Sequence, residues 1–203
     1  MNFVKQIATF LVKSNALRFG VFKLSSGKES PYYIDLRILP SFPAYFKSAV
    51  AAYKDAIKNK IGLDRFDYLC SVPTSGLVYA SSIAYETGKP LVYVRKEAKQ
   101  YGTNKMIEGY LKSGANVVMI DDVATTGSSV IEAVETIRNN GGIVKHAVVL
   151  IDRLEGASEA LKKHDVKLIS VAKINDIVKI LYDIGMLEEE VLKAVKKQIR
   201  QKA

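Results

Sequence analysis

From Tyr68 onward the chain alternates short apolar runs with longer segments of helical spacing, and this alternation restricts the fold more than any other feature. The runs YLCSV, PLVYVRK, NVVMIDD, HAVVLIDR and KLISVAK read as strands. Between and after them SSIAYETG, SSVIEAVETIRNNGG, ASEALKKHD and LEEEVLKAVKKQIRQK read as helices. A strand that is apolar along its whole length needs cover on both faces. Strands of that kind separated by helices imply an α/β fold with a mainly parallel central sheet flanked by helices. The N-terminal segment is less regular. Phe3, Ile7, Phe10 and Leu11 have helical spacing, and a short hairpin is expected after them. Lys5 and Lys13 interrupt any signal-peptide core, and no apolar run reaches the roughly 20 residues of a membrane span. With 203 residues the chain can bury one full core, so a single domain over 1–203 is expected.

The stretch VVMIDDVATTGSSV, Val117 to Val130, carries the chemistry. It is an apolar strand that ends in Asp121 and Asp122 and runs into Thr125, Thr126, Gly127, Ser128 and Ser129. In open parallel sheets, ligands bind beyond the carboxyl ends of the strands. A loop of small residues ahead of a helix leaves backbone N–H groups pointing at a common point, where the helix dipole favours an anion. Ser129 with Glu132 three residues on reads as a capping box, and Gly141 marks the helix end. Carboxylates only accept hydrogen bonds, so they suit the hydroxyls of a ribose, met directly or through hydrated Mg²⁺. One loop can therefore grip a ribose 5-phosphate at both ends. Neither GxxxxGK[ST] nor GxGxxG occurs, which removes the two common nucleotide-binding loops.

The formal net charge is +9, which draws anions without saying which. The lysines are spread, with one cluster in the C-terminal helix that reads as a solvated face. Neither nucleic acid nor a membrane is expected as a partner. Cys70 is the single cysteine and sits in an apolar run. It excludes a disulfide framework and fits a buried structural role in a reducing cytoplasm.

VVMIDDVATTGSS resembles the PRPP-binding signature of the type I phosphoribosyltransferases, and the resemblance extends along the chain in family order. LSSGKESPYYIDLR, Leu24 to Arg37, resembles the N-terminal signature of the orotate phosphoribosyltransferases. RKEAKQYGTNKMIEG, Arg95 to Gly109, resembles their catalytic loop, and LIDRLEG, Leu150 to Gly156, their base-proximal strand end. The resemblance implies a type I phosphoribosyltransferase fold. About 1–40 would contribute a small base-binding hood, and about 41–203 the α/β core and C-terminal helix. The implied reaction joins orotate and PRPP to give orotidine 5′-monophosphate and pyrophosphate, in pyrimidine biosynthesis.

On this reading PRPP is bound by Arg95, Lys96, Lys99, Tyr101 and the run Asp121, Asp122, Val123, Ala124, Thr125, Thr126, Gly127, Ser128 and Ser129. Lys96 and Lys99 stabilise the departing pyrophosphate, and Asp121 and Asp122 hold the ribose. The run from Gln100 to Gly109 closes over substrate and excludes water. By resemblance Lys96 acts in trans, so a homodimer is implied. Tyr101 stands where many bacterial members carry His, and a phenol does not titrate near neutrality. Arg153 and Thr125 are assigned to orotate, since a guanidinium matches a carboxylate bidentately. Tyr32 or Tyr33 would flank the base. Pro73, Thr74, Ser75 and Gly76 form the pyrophosphate loop. Where this chain has Ser25, many members have a substrate-contacting Lys, so that role is either lost or taken by Lys23 or Lys28. Mg²⁺ is expected, bound mainly through PRPP and water with no protein cage. A phosphoribosyltransferase for another base and a non-catalytic PRPP-sensing regulator are the alternative readings.

Overall fold

The computed structural model describes residues 3–23, 29–95 and 105–202, except the side chains of residues 201 and 202. Helix α1 (Phe3–Lys13) leads into an antiparallel pair, β1 (Leu17–Lys23) and β2 (Glu29–Ile34), which form a two-stranded sheet of their own. A 3₁₀ helix (Leu36–Ser41) and helix α2 (Pro43–Lys60) follow. Then come β3 (Tyr68–Ser71), α3 (Ser75–Thr87), β4 (Leu91–Val94) and β5 (Ile107–Glu108). The chain continues through β6 (Asn116–Ala124), α4 (Ser128–Asn139), β7 (Ile143–Asp152) and α5 (Ala157–Lys163). It closes with β8 (Lys167–Lys173), α6 (Ile174–Asp183) and α7 (Glu189–Lys202). Among the described residues no helix is long and apolar enough to cross a membrane.

The main sheet has the order β5-β4-β3-β6-β7-β8. Its neighbours pair in parallel except β5, which runs antiparallel to β4. The all-apolar strands follow from burial on both faces. Successive side chains of a strand point to opposite faces. In β6, Val118 and Ile120 enter the core shared with α1, α2, α3 and α6, while Val117 and Met119 enter the core under α4 and α5. The expected α/β architecture is present. Helix α2 was not expected from the sequence. It begins with Pro at its first position and buries Ala49, Val50, Tyr53 and Ile57 along one side. Helix α6 follows β8 without an intervening loop residue.

Two buried tyrosines fix the layers beneath the sheet's carboxyl edge. The Tyr53 hydroxyl on α2 donates to the backbone carbonyl of Asp121 at 2.6 Å. The Tyr79 hydroxyl on α3 donates to the carbonyl of Leu36 at 2.9 Å. Burial, with Tyr79, Asp122 and Asp121 nearby, raises the Tyr53 phenol far above its ordinary range. Burial and the charges of Asp122 and Asp35 do the same to Tyr79. Both rings stay protonated donors, so the acidic strand end is anchored from below.

Candidate active site

Of the predicted site residues, Arg95 lies at the carboxyl end of β4, Pro73 to Gly76 follow β3, Asp121 to Thr125 end β6 and Arg153 follows β7, four adjacent strands of the sheet. The β3 and β6 loops are tied directly. The Ser75 hydroxyl donates to Asp122 Oδ2 at 2.5 Å. Asp121 Oδ1 accepts the backbone N–H of Asp122 at 3.0 Å. Gly76 sits where no side chain fits. A Cβ there would lie 2.5 Å from Asp121 Oδ1 and 2.6 Å from Ser71 Oγ. Pro73 and Thr74 form the turn ahead of α3 through a cis peptide, and no side chain caps that helix.

The loop after β6 corrects one detail of the sequence reading. The N-cap of α4 is Gly127, at φ 82°, and no side chain caps the helix, so the Ser129–Glu132 capping box is not formed. The left-handed turn at Gly127 starts the helix at Ser128, which moves Ser129 inside the first turn. The first turn carries no acidic residue. Its N–H groups therefore keep the anion-binding character expected of the loop. Thr126 and Ser128 are exposed, with their hydroxyl oxygens 3.2 Å apart. Thr125 is half-buried, and its carbonyl accepts the N–H of Ala157 at 3.1 Å. Val123 packs partly against the main core. Ala124 is buried, and its carbonyl accepts the Arg153 N–H at 3.0 Å.

Arg95 is engaged from the side. Its Nη1 donates to Glu108 Oε1 at 2.7 Å, because β5 returns antiparallel beside β4. Lys96, Lys99 and Tyr101, and also Ser25 and Lys28, lie outside the described residues.

Arg153 is buried, 5% exposed, as is Asp152 at 4%. They do not pair with each other. Asp152 Oδ1 instead accepts the N–H of Leu154 at 2.8 Å. The Arg153 guanidinium lies 4.5 Å over the Tyr32 ring and pairs with Glu155 at 2.9 Å. Its Nε donates to the Tyr32 hydroxyl at 3.2 Å. Burial pushes the Tyr32 phenol up to about 12, against the opposing pull of Arg153. Tyr33, the next residue of β2, turns to the other face. There its hydroxyl accepts from Arg37 at 3.1 Å, and Arg18 sits 5.2 Å over its ring. The structure thus brings Tyr32, and not Tyr33, to Arg153. The residues missed by sequence reasoning are Ser30, Glu155 and Gln198, which join Arg153 in a buried network.

Two adjacent carboxylates present hard oxygen donors of the kind Mg²⁺ accepts. Among the described residues no cluster of His, Cys, Asp and Glu forms a protein cage for a metal. This donor set fits an ion held mostly by substrate and water.

An acidic strand end, an uncapped helix start and a buried arginine on one sheet edge together suit a sugar phosphate that carries hydroxyls and anionic groups. Residues 46–188 match the phosphoribosyl transferase domain family, and the chain belongs to it. Its relatives within that family are narrower in kind. The chain is 45% identical to an orotate phosphoribosyltransferase of Cenarchaeum symbiosum over 200 residues, 98% of this chain and 100% of the relative. The fold matches a crystal structure of orotate phosphoribosyltransferase from Aeropyrum pernix with a TM-score of 0.78 at 39% identity, covering 90% of this chain and 99% of that one. It also matches the Leishmania donovani UMP synthase, with a TM-score of 0.85 at 34% identity over 97% of this chain. This chain spans 42% of that longer protein.

Proposed function

We propose that this chain is an orotate phosphoribosyltransferase, transferring the 5-phosphoribosyl group of PRPP to N1 of orotate and releasing pyrophosphate in pyrimidine nucleotide synthesis. The observation that carries this reading is the buried Arg153 guanidinium on the same sheet edge as the acidic pair. A neutral base has no use for such a cation, whereas orotate brings a carboxylate to meet it.

Asp121 and Asp122 accept the ribose hydroxyls, and the N–H groups from Gly127 to Ser129 take the 5-phosphate. Thr125 stands between the phosphate turn and the base and contributes its hydroxyl to orotate. The turn from Pro73 to Gly76 receives the pyrophosphate. Tyr32 supports the base site from beneath Arg153. Arg95, Lys96 and Lys99 stabilise the charge that builds on the departing oxygens, and Tyr101 donates to a phosphate oxygen. Mg²⁺ would be held mostly by PRPP and water beside Asp121 and Asp122, and would supply positive charge to offset that of the departing pyrophosphate. Ionised orotate is nucleophile enough that catalysis comes from positioning and charge, with little proton transfer by the protein. Residues 1–40 act as the hood over the base. The enzyme works in the cytoplasm as a homodimer in which Lys96 reaches the neighbouring site.

The test is a spectrophotometric assay with PRPP and Mg²⁺, offering orotate, uracil and adenine separately. Consumption of orotate alone is expected. Consumption of uracil or adenine but not orotate overturns the assignment.

A further inference from the structure

We infer that Gln198, on the C-terminal helix, is a positioning residue of the base site, holding Arg153 in place through Glu155. This rests on the reading of Arg153 as the group that meets the orotate carboxylate. The side chains of Arg153 and Glu155 are each only 6% exposed, and Gln198 is 8% exposed. Glu155 Oε1 accepts from Arg153 Nε at 3.0 Å, from Arg153 Nη2 at 2.9 Å and from Gln198 Nε2 at 3.1 Å. On the far side of the amide, Gln198 Oε1 lies 3.2 Å from the Ser30 hydroxyl. That hydroxyl also faces the Tyr32 carbonyl at 2.8 Å and accepts from Arg153 Nη2 at 3.3 Å. The contacts form a closed ring: Arg153, Glu155, Gln198, Ser30 and back to Arg153.

The ring fixes the guanidinium in its own plane, and the Tyr32 face fixes the plane itself. Among the described residues Nη1 has no hydrogen-bond partner, so the edge carrying it is the one presented to a ligand. A carboxylate that accepts from Nη1 needs that group correctly aimed. The aim of the guanidinium depends on how firmly Glu155 is itself held. Gln198 ties Glu155 to the C-terminal helix. It also satisfies buried polar atoms from β2 and from the turn after β7, which makes α7 part of the base site.

Gln198→Met removes both amide contacts while keeping length and volume. The expected result is a rise of about tenfold in KM for orotate, the loss of one hydrogen bond to a charged group, with KM for PRPP and the unfolding temperature nearly unchanged. Gln198→Ala carries the same test if the methionine variant does not fold. Unchanged KM for orotate, or an equal rise in both KM values, overturns the inference and leaves α7 a structural helix. Arg153→Gln is the control for the underlying reading. If that variant keeps the wild-type KM for orotate, the assignment of Arg153 itself fails. If it loses orotate affinity and the Gln198 variants do not, only the positioning role fails.

Discussion

Ser75 and Asp122, 47 residues apart, meet in a 2.5 Å hydrogen bond that joins the loop after β3 to the acidic end of β6. Two jobs assigned to different loops, receiving pyrophosphate and holding ribose, are thereby mechanically coupled. A hydroxyl that donates to a carboxylate is a charge-assisted bond, worth about 1.5–3 kcal/mol. Ser75→Ala removes it without adding bulk. The expected outcome in steady-state kinetics is a fall in kcat/KM for PRPP of about tenfold or more, with KM for orotate little affected. An unchanged kcat/KM would mean that the two loops hold their geometry without this bond.

Gly76→Ala tests the same junction by filling it. The added methyl would come within 2.5 Å of Asp121 Oδ1 and 3.0 Å of Asp121 Cα, so backbone must shift and not only a flexible tip. Overpacking of this kind costs about 1–3 kcal/mol. Because the displaced group is Asp121, activity is expected to fall further than stability does. Thermal unfolding and the PRPP-dependent rate, measured on the same preparation, separate the two effects. Full activity in the alanine variant would show that the loop relaxes away from Asp121.

How far the sequence reveals this site depends on the range of each interaction. The strands β3, β4, β6, β7 and β8 are legible because burial on both faces leaves continuous apolar runs. The acidic pair and the phosphate turn are legible because their residue types carry the chemistry locally. Helix α2 is harder to see. Its lysines and alanines dilute the periodic signal of Val50, Tyr53 and Ile57, although Pro43 at its start was a usable cue. The α4 cap was misread because Ser129 and Glu132 have the spacing of a capping box, while the left-handed turn at Gly127 starts the helix earlier. The ring of Arg153, Glu155, Gln198 and Ser30 was out of reach. Ser30 and Gln198 lie 168 residues apart, and nothing local to either residue marks the other.

Asp152 gives the site a pH dependence of stability. Burial raises its carboxyl above the ordinary 3.8, while the Leu154 N–H and Lys173 pull it down. A raised value in the folded state means that the folded chain binds the proton more tightly than the unfolded one. Stability from this group is therefore lost as pH rises from about 3.8 through the folded-state value. Asp152→Asn keeps an oxygen for the Leu154 N–H and cannot ionise. In thermal unfolding across the acid range, the difference between the two proteins should move in favour of the variant as pH rises. A difference that is flat with pH would show that Asp152 titrates normally in the fold.

Mixed dimers test whether the site is shared between subunits. Lys96→Ala and Asp122→Asn are each expected to be nearly inactive alone. If Lys96 serves the neighbouring site, a mixed dimer has one site with both residues intact, Asp122 from the Lys96→Ala subunit and Lys96 from the other. Its second site lacks both. Random reassortment of the two variants in equal amounts makes half the dimers mixed, so about a quarter of wild-type activity should return. If Lys96 serves its own subunit, every site in the mixture keeps one lesion and nothing returns. The measurement is the PRPP- and orotate-dependent rate after the two variants are unfolded and refolded together, against each refolded separately. Co-refolding with no recovery, while each variant still forms a dimer, would place Lys96 in the site of its own chain.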